Sequence, residues 1–570
     1  MKLLFFGATL FCSYSFGQAD NAIQSSSTVN DVIITEILAD PTPAQGLPPA
    51  EFVEIYNRGS SSVNLSGWSF YEGSTKVLPP KILLQGARMI VCANSDTALF
   101  NAYGNTAGIS SMSLTNSGEK ISIRDAGGLP VDSVVFSDSW FGGTYKADGG
   151  WSLERIDDSF RCFNKNNWAP AVNSAGGTPG APNSVAGLFI DDSPPIAIRA
   201  FCPDAKTVKV LFSEPLEPLY LDSIQINFQN GMQTIFVQSD GTDNASIVIT
   251  VSDSIINGKT YLCRINGARD CPGNKMISEQ ELNFGIPDTT LIPDIILNEI
   301  LFNPPEGGTD FIELYNRGNT LADLTDFSVL SINETTGLPE KVVEINGDPY
   351  LLFPGDYAVL CKAPDLVYQF YSTPFPQNFP VMDDLPAMNA DAGEVGIMYN
   401  GIIMDRFRYN ESYHFPLLQN VKGVSLERIN PFSPGGSSVN WHSAAEPAGF
   451  ATPGFRNSQF ESVNTTPGVT AEPEVFSPDN DGFNDVVSFN VVQPGAGYIG
   501  NITIFHADGW EVKQITTDQL TGTEVTYFWD GSTSDGKIAP PGLYVALLRY
   551  FTINGEVLQY KIPVVLAVKF

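Results

Sequence analysis

The sequence predicts an all-β protein built from tandem β-sandwich domains, and three observations lead to this fold class. The 570 residues include 51 glycines and 40 prolines, which is typical of many short strands joined by turns. Apolar and polar residues alternate over short runs such as Val208, Val210 and Phe212, as expected for half-buried strands. A stretch of about 150 residues occurs twice, which indicates a modular chain of several domains.

The N-terminus predicts export. Residues 1–17 combine an early lysine with a short apolar run and end in Ser15-Phe16-Gly17, which places small residues at positions −3 and −1 of a cleavage site. We therefore expect a signal peptide over residues 1–17 and a polar, serine-rich linker over residues 18–30. Beyond it, the sequence predicts no transmembrane segment, because no later run is long and apolar enough to span a bilayer.

The duplicated module occupies residues 31–185 and 291–459. Each copy opens with a strand that contains a glutamate, Glu36 or Glu299, and continues with EFVEIYN or DFIELYN. Each copy then closes with an SLER element and a Thr-Pro-Gly tripeptide. These shared motifs resemble the lamin tail domain, an immunoglobulin-like (Ig-like) β-sandwich that also occurs in exported bacterial proteins. The resemblance implies a fold and not a nuclear function, because one fold carries many functions.

Residues 186–290, between the two copies, predict a different and smaller β-sandwich. Their short alternating runs are bounded by turn residues, which favours strands. The sequence FSEPL at 212–216 and the turn Asp-Cys-Pro-Gly-Asn at 270–274 resemble the bacterial Ig-like domains of surface-layer proteins.

A Thr/Pro/Gly-containing linker at 460–470 leads to a last β-domain over residues 471–570. Its motifs FSPDNDGFND at 476–485, WDG at 529–531 and PGLY at 541–544 resemble the C-terminal domains of gliding-motility-associated surface proteins of the Bacteroidetes. That resemblance implies a sorting signal, the type IX secretion machinery as a partner, and the surface of a Gram-negative bacterium as the location. The family usually has Asn-Gly where this chain has Asp-Asn at 479–480. The motifs WDG and PGLY are also similar to those of the Ig-like domain of flagellar hook-capping proteins.

The glutamates of the second strand in each copy are candidate site residues. Glu54 and Glu313 lie within apolar runs, where a carboxylate needs a cation or hydrogen-bond donors. We predict that they form ion pairs, Glu54 with Arg155 and Glu313 with Arg428, that pin two strands together. A metal or ligand site at these glutamates is the alternative. The arginines present in both copies are Arg58 with Arg317 and Arg155 with Arg428.

The acidic turn of the last domain is a candidate calcium site. Asp479, Asp481, Asn484 and Asp485 concentrate oxygen ligands of the kind that Ca²⁺ prefers on a bend that contains glycine. The spacing is not that of an EF-hand loop, because the glycine comes too early and no glutamate follows at the twelfth position. The alternative is a turn whose side chains cap their own backbone.

The cysteines predict few disulfides. Cys92 and Cys361 occupy matching places on apolar runs of the two copies, which favours buried free thiols. We predict a disulfide between Cys202 and Cys271, which would join the first strand of the middle domain to its last turn. A bond between Cys263 and Cys271 is the alternative.

The sequence predicts no enzyme. His414, His442 and His506 show no metal-ligand spacing, and no nucleophile elbow, phosphate-binding loop or CxxC motif occurs. The net charge of −32 opposes nucleic-acid binding. We expect a non-catalytic, exported scaffold at the cell surface, with surface polysaccharide or other surface proteins as partners and Ca²⁺ as the one candidate cofactor. The alternative is a polysaccharide-binding accessory protein or a cryptic hydrolase.

Overall fold

A computed structural model of the chain describes residues 31–568, with gaps at 143, 161, 163, 241–244, 381 and 462–465. The predicted signal peptide (1–17), the first linker (18–30) and part of the second linker (460–470) lie outside the described residues. The described residues fall into two compact units, one up to residue 189 and the other from residue 190.

The first unit is a β-sandwich in which the short helix α1 (Thr97–Phe100) follows one strand. Its 3-10 turns cover Asp138–Phe141, Tyr145–Asp148 and Lys165–Asn167. Its strands are β1 (Val32–Leu38), β2 (Phe52–Asn57), β3 (Val63–Asn64), β4 (Ser69–Glu72), β5 (Ser74–Val77), β6 (Ile82–Leu83), β7 (Arg88–Ala93), β8 (Thr106–Ile109), β9 (Gly118–Arg124), β10 (Pro130–Ser137), β11 (Leu153–Arg155) and β12 (Trp168–Pro170).

The two main sheets of this sandwich have the strand orders β12-β11-β1-β2-β7-β8 and β10-β9-β4-β5. Alternate residues of both sheets point into one core, which includes Ile34, Val53, Phe70 and Ile121, all of them fully buried. Burying apolar side chains between two sheets is the main force that holds such a domain together.

The second unit contains the helix α2 (Pro364–Phe370) and short 3-10 turns. These turns cover Pro218–Ser223, Leu324–Asp326, Pro376–Asn378, Glu411–Tyr413, Ser438–Asn440 and Glu446–Ala448. Its strands are β13 (Ala197–Asp204), β14 (Thr207–Phe212), β15 (Gln225–Phe228), β16 (Thr234–Ser239), β17 (Ser246–Val251), β18 (Thr260–Asn266), β19 (Gln280–Gly285), β20 (Ile295–Leu301), β21 (Phe311–Asn316), β22 (Ala322–Asp323), β23 (Phe327–Ile332), β24 (Pro339–Glu344), β25 (Leu351–Leu352), β26 (Tyr357–Leu360), β27 (Ala392–Tyr399), β28 (Ile402–Asn410), β29 (Leu426–Arg428), β30 (Trp441–Ser443), β31 (Gly468–Glu472), β32 (Val475–Phe476), β33 (Val487–Val492), β34 (Ile499–His506), β35 (Glu511–Leu520), β36 (Glu524–Trp529), β37 (Gly542–Phe551) and β38 (Val557–Leu566).

These strands pair into sheets that enclose separate cores. The sheets β13-β14-β17-β16 and β15-β18-β19 enclose the first core. The sheets β26-β21-β20-β29-β30 and β24-β23-β27-β28 enclose the second, and β31-β33-β36 and β32-β38-β37-β34-β35 enclose the third. The all-β fold of tandem Ig-like sandwiches predicted from the sequence is therefore confirmed. The domain boundaries within it stay a prediction.

The described helices have four and seven residues, and none in this part of the chain is long and apolar enough to cross a membrane.

The predicted disulfide between Cys202 and Cys271 is wrong. Cys202 is a free thiol that packs against the apolar core of its sandwich, and Cys263, the alternative partner, is also free and fully buried. Both behave as small apolar residues of that core. Cys271 is disulfide-bonded, but to neither of them. The prediction for Cys92 and Cys361 is confirmed, since both are buried free thiols.

Candidate functional site: a buried glutamate triad in each repeat

Three glutamates lie side by side on adjacent strands of each repeat. In the first repeat, Glu36 on β1 lies directly opposite both Glu54 on β2 and Glu154 on β11. The three side chains are fully buried. We term this set the first glutamate triad. The second glutamate triad, equally buried and in the same register, consists of Glu299 on β20, Glu313 on β21 and Glu427 on β29.

A β-bulge beside each triad adds a donor. The register of β1 shifts between Ile34 and Glu36, so that Thr35 is the extra residue and its Oγ1 donates to Glu54 Oε1 over 2.8 Å. In the second repeat the extra residue is Asn298, whose Nδ2 donates to Glu313 Oε1 over 2.7 Å. A bulge turns two consecutive side chains towards one face, which brings this donor next to the glutamates.

The segment that closes the first repeat, residues 178–185, covers the first triad. The backbone N–H of Thr178 donates to Glu36 Oε1 over 2.7 Å, and its Oγ1 donates to Glu154 Oε1 over 2.7 Å. The backbone N–H of Gly180 donates to Glu54 Oε2 over 2.6 Å. Gly180 has a φ of +79°, and a Cβ there would lie 2.0 Å from the carbonyl oxygen of Tyr103, so this position requires glycine.

The closing segment of the second repeat, residues 452–459, covers the second triad in the same way. Thr452 donates from its backbone N–H to Glu299 Oε1 over 2.9 Å and from Oγ1 to Glu427 Oε1 over 2.8 Å. The backbone N–H of Gly454 donates to Glu313 Oε2 over 2.6 Å. The Thr-Pro-Gly tripeptide of each repeat is thus the element that supplies a donor to every glutamate of its triad.

An asparagine fastens each closing segment to the bulged strand. Asn183 Nδ2 donates to the carbonyl oxygens of Thr35 and Arg155, each over 2.8 Å. In the second repeat, Asn457 Nδ2 donates to the carbonyl oxygen of Asn298 over 3.0 Å and to that of Arg428 over 2.9 Å. Each asparagine therefore connects the bulge residue with the SLER arginine through their backbone carbonyls and satisfies both acceptors.

Burial and mutual repulsion favour protonated glutamates in the triads. Burial, with the neighbouring charge of Glu54, raises the pKa of Glu36 well above its usual value. Burial and the charge of Glu427 raise the pKa of Glu299 to about 8. Burial and the charge of Glu299 raise the pKa of Glu313 well above its usual value. Adjacent buried carboxyls cannot all ionise, so at neutral pH the triads retain protons.

The two triads differ in one cation. Arg88 on β7 lies opposite Tyr56, and its Nη1 is 2.7 Å from Glu54 Oε1. In the second repeat the residue opposite Tyr315 is Tyr357, and the two rings stack with centroids 4.8 Å apart. Within the described ranges, no ion pair joins an arginine or lysine to the second triad.

The predicted ion pairs of Glu54 with Arg155 and of Glu313 with Arg428 are wrong. Successive residues of a strand point to opposite faces. Because the SLER glutamates join the triads, the arginines that follow them point to the other face of the sheet, into the space between the two sheets. Glu54 pairs with Arg88 instead, and Glu313 receives donors from Asn298 and Gly454.

Each SLER arginine pairs with an aspartate of the facing sheet. Arg155 Nη2 is 3.2 Å from Asp132 Oδ2 on β10, and Arg428 Nη1 is 2.6 Å from Asp405 Oδ2 on β28. The same aspartate oxygens accept the backbone N–H groups of Ile34 and Leu297 over 2.8 Å and 3.1 Å. These pairs therefore join the two sheets of each sandwich.

The acidic turn of the last domain brings three of the four predicted calcium ligands together. Carboxylate oxygens of Asp479, Asp481 and Asp485 lie within 4.8 Å of one another. Asp485 also accepts the backbone N–H of Asn480 over 2.7 Å, and Asn484 has a φ of +54°. Calcium ligation and self-capping of the turn are both compatible with this geometry.

A second group of acids was missed by sequence reasoning. Carboxylate oxygens of Asp191, Glu214 and Asp270 also lie within 4.8 Å of one another. Burial and the two aspartates raise the pKa of Glu214 to about 8. Glu214 belongs to FSEPL at 212–216 and Asp270 to the turn at 270–274, two motifs that the sequence singles out, but nothing in either motif shows that the two carboxylates and Asp191 meet.

The triads suit a structural role better than catalysis. Their carboxylates are out of contact with solvent, and the donors that surround them belong to the repeat itself. Among the oxygens of the two triads, Glu36 Oε2 is the one without a hydrogen-bond partner in the described residues. Burying this oxygen costs less when the carboxyl is protonated.

Part of the first repeat is similar to a known family of domains. Residues 25–138 match the family model of the Lamin Tail Domain, a range that includes Glu36, Glu54 and Arg88 and ends before Glu154. No curated relative matches the chain.

Several solved structures are similar to parts of the chain at low identity. Domains 1–6 of the surface layer protein SbsC are 10% identical, over 66% of this chain and 55% of that one, with a TM-score of 0.16. A DUF4876 family protein of Bacteroides thetaiotaomicron is 13% identical, over 40% and 86%, with a TM-score of 0.17. A Ca²⁺-stabilized adhesin of an Antarctic bacterium is 11% identical, over 95% and 100%, with a TM-score of 0.12. The chain spans about half the length of SbsC domains 1–6, and at these scores the likeness carries no inference about function.

Proposed function

We propose that the protein is a non-catalytic, exported, modular scaffold of the bacterial surface with an adhesive or structural role. One observation carries this proposal: both repeats use their buried carboxylates to hold their own closing segments. Such a module is a rigid support, and its loops remain free to make contacts. The modules are those that the sequence predicts, over residues 31–185, 186–290, 291–459 and 471–570.

Export and sorting belong to the two ends of the chain in this proposal. Residues 1–17 direct export, and residues 471–570 are recognised by the type IX secretion machinery of a Gram-negative bacterium. The resemblance of the motif at 476–485 supports the sorting role. The last sandwich also has a core of its own, in which the rings of Trp529 and Tyr544 lie 5.0 Å apart.

The location of a truncated chain tests the proposal. Full-length protein and a chain that ends at Thr470 are expressed in a bacterium with type IX secretion, and protease accessibility on intact cells is compared with fractionation. We expect the full-length protein at the surface or in the medium and the truncated chain in the periplasm. Protease resistance of the first repeat in the periplasmic fraction serves as the control for folding. If both forms distribute alike, residues 471–570 are not a sorting domain.

Calcium is part of the same proposal. Asp479, Asp481, Asn484 and Asp485 would hold one Ca²⁺ ion at the tip of the last sandwich. The convergence of the three carboxylates supports this site, since Ca²⁺ takes about six to eight oxygen ligands, including waters.

A further inference from the structure

A cleft of about 960 Å³ lies in the second unit, between the sandwich formed by β13 to β19 and the second repeat. Residues of β13 and β19 form one wall. Segments 350–357, 375–378 and 454–456 of the second repeat form the other. A cleft of this size is within the usual range for small-ligand sites, roughly 300 to 1,000 Å³. We term it the interdomain cleft.

Contacts across the interdomain cleft hold its walls in place. The guanidinium of Arg199 on β13 lies over the ring of Tyr350, 5.0 Å from the ring centroid. Nearby, Lys209 Nζ is 3.6 Å from Asp348 Oδ1. Tyr350 is itself fixed, because its hydroxyl donates to the carbonyl oxygen of Gln377 over 2.9 Å. A site formed before the ligand arrives loses less entropy on binding.

The second glutamate triad supports the floor of the interdomain cleft. Asn378 Nδ2 donates to the carbonyl oxygen of Gly454 over 2.9 Å, and the N–H of Gly454 donates to Glu313 Oε2 over 2.6 Å. The closing segment that the triad holds therefore also places Phe455 and Arg456, which line the cleft.

Arg199 brings a cation without an anionic partner to this cleft. The aspartates whose charges act on it have other partners: Asp348 pairs with Lys209, and Asp323 accepts the backbone N–H of Tyr350 over 3.0 Å. Across the described part of the chain, no carboxylate forms an ion pair with Arg199. Its guanidinium is half-buried and stays charged, so an incoming carboxylate would find a partly desolvated, unpaired fork of donors.

The remaining lining fits a sugar ring. Phe375 is 42% exposed and offers an apolar face, and the ring of Tyr357 is held by its stack with Tyr315. Asn283 and Asp356 are exposed on the walls and offer amide and carboxylate groups to hydroxyls. A few polar groups on a largely apolar surface are typical of sites that orient a small ligand.

We propose that the interdomain cleft binds a carboxylated sugar unit of a polysaccharide, with the carboxylate on Arg199, the ring against Phe375, and hydroxyls on Asn283 and Asp356. This gives a ligand class to the adhesive role and rests on that proposed function. The net charge of −32 repels densely charged polyanions. The ligand is therefore a short acidic saccharide or a longer one with few acidic units, and not a densely charged polyanion.

Calorimetric titration of the purified protein without residues 1–17 tests this site. The probes are trimers of galacturonate, glucuronate and mannuronate, with galactotriose as the neutral counterpart and a tripeptide with a free C-terminal carboxylate as the non-sugar counterpart. We expect at least one uronate trimer to bind at least about tenfold more tightly than both counterparts, since a charge-assisted bond is lost without the carboxylate.

Two variants locate the binding. Arg199→Gln should weaken uronate binding by about tenfold or more, because the charge-assisted hydrogen bond is lost. Phe375→Ala should also weaken uronate binding, because the apolar face is lost while Arg199 is unchanged. Arg269→Gln is the matched control, because Arg269 belongs to the same sandwich and, like Arg199, lies over a tyrosine ring, that of Tyr220, but does not line the cleft. An unchanged midpoint of thermal unfolding shows that each variant is folded.

The inference is overturned if no uronate binds, if galactotriose or the tripeptide binds as tightly, or if Arg199→Gln binds like the unsubstituted protein. If the protein reaches the cell surface but binds no uronate, the proposed scaffold role stands and the proposed binding site is refuted. If the protein binds uronate but remains in the periplasm, the proposed binding site stands and the proposed surface location is refuted.

Discussion

Arg88 and Tyr357 occupy the same register position beside the glutamate triads of the two repeats, opposite Tyr56 and Tyr315. Arg88 places a cation 2.7 Å from Glu54, whereas Tyr357 places an uncharged ring next to the second triad. Burial raises the pKa of glutamates in both triads, but among the described residues only the first triad also has a cation beside it. This difference leads to separate predictions for the two repeats.

Removing the cation should destabilise the first repeat. In Arg88→Gln, Glu54 keeps its donors from Thr35 and Gly180 but loses its counter-charge in a buried site, and we expect a loss of about 3 kcal/mol. Hydrogen exchange of peptides from β1 and β2 in increasing urea measures the effect. Arg124→Gln, which removes an arginine that stacks on Tyr71, is the control. An equal loss in both variants would contradict a special role of Arg88.

The second repeat should lose stability as pH rises. The pKa of Glu299 is raised from 4.5 to about 8, so the folded state keeps a proton that the unfolded state releases. This stabilisation is fully present below about pH 4.5 and is lost as pH rises towards about 8, with a slope of up to about 1.4 kcal/mol per pH unit. Urea unfolding of the second repeat, followed by hydrogen exchange at pH 5, 6.5 and 8, measures it. Glu299→Gln should flatten the slope, whereas the exposed Glu340→Gln should not, and the same slope in both variants would contradict the assignment.

The arginine–aspartate pair between the sheets should show strong coupling. A double-mutant cycle with Arg428→Met and Asp405→Asn should give a coupling energy of about 1 to 3 kcal/mol, because Arg428 is almost fully buried and its partner closes the sandwich. The exposed pair of Arg264 and Glu281 provides the comparison, with a coupling below about 1 kcal/mol. Equal coupling in the two cycles would mean that the buried pair does not join the sheets.

Calcium should bind the acidic turn of the last domain. Calorimetric titration of the full chain with CaCl₂ should give a heat of binding that is strongly reduced in Asp481→Asn. Asparagine keeps the acceptor for the N–H of Phe483, so this variant removes charge and leaves the turn intact. Glu511→Gln, in the same sandwich but outside the turn, should titrate like the unsubstituted protein. A turn that only caps its own backbone would give no heat with calcium.

Much of the fold follows from local sequence patterns. Alternation identifies the strands, and it places Phe52 and Glu54 on one face, because side chains in a strand have a period of two. The repeat shows that the two copies share one architecture, and the Thr-Pro-Gly tripeptide is recognisable as its close. The same period of two puts the side chains of Glu154 and Arg155 on opposite faces of β11. Arg155 therefore cannot pair with Glu54, which lies on the same face as Glu154, and this explains why the predicted ion pairs are wrong.

The composition of the triads depends on long-range pairing. Glu36 meets Glu154 across 118 positions of the sequence because β1 pairs with β11, and Arg88 reaches Glu54 because β7 pairs with β2. Neither pairing has a local signal. The bulge at Thr35 is also set by strand pairing, since nothing in the residues around it distinguishes a bulge from a regular strand.

The most direct test of the account is the hydrogen exchange of the second closing segment, whose N–H groups at Thr452 and Gly454 are held by Glu299 and Glu313. We expect a peptide covering residues 446–460 to exchange as slowly as β20. Thr452→Val should speed its exchange by roughly tenfold or more, and Thr452→Ser, which keeps the hydroxyl, should not. Exchange of this peptide within seconds in the unsubstituted protein, as in an exposed loop, would show that the triads do not hold the closing segments.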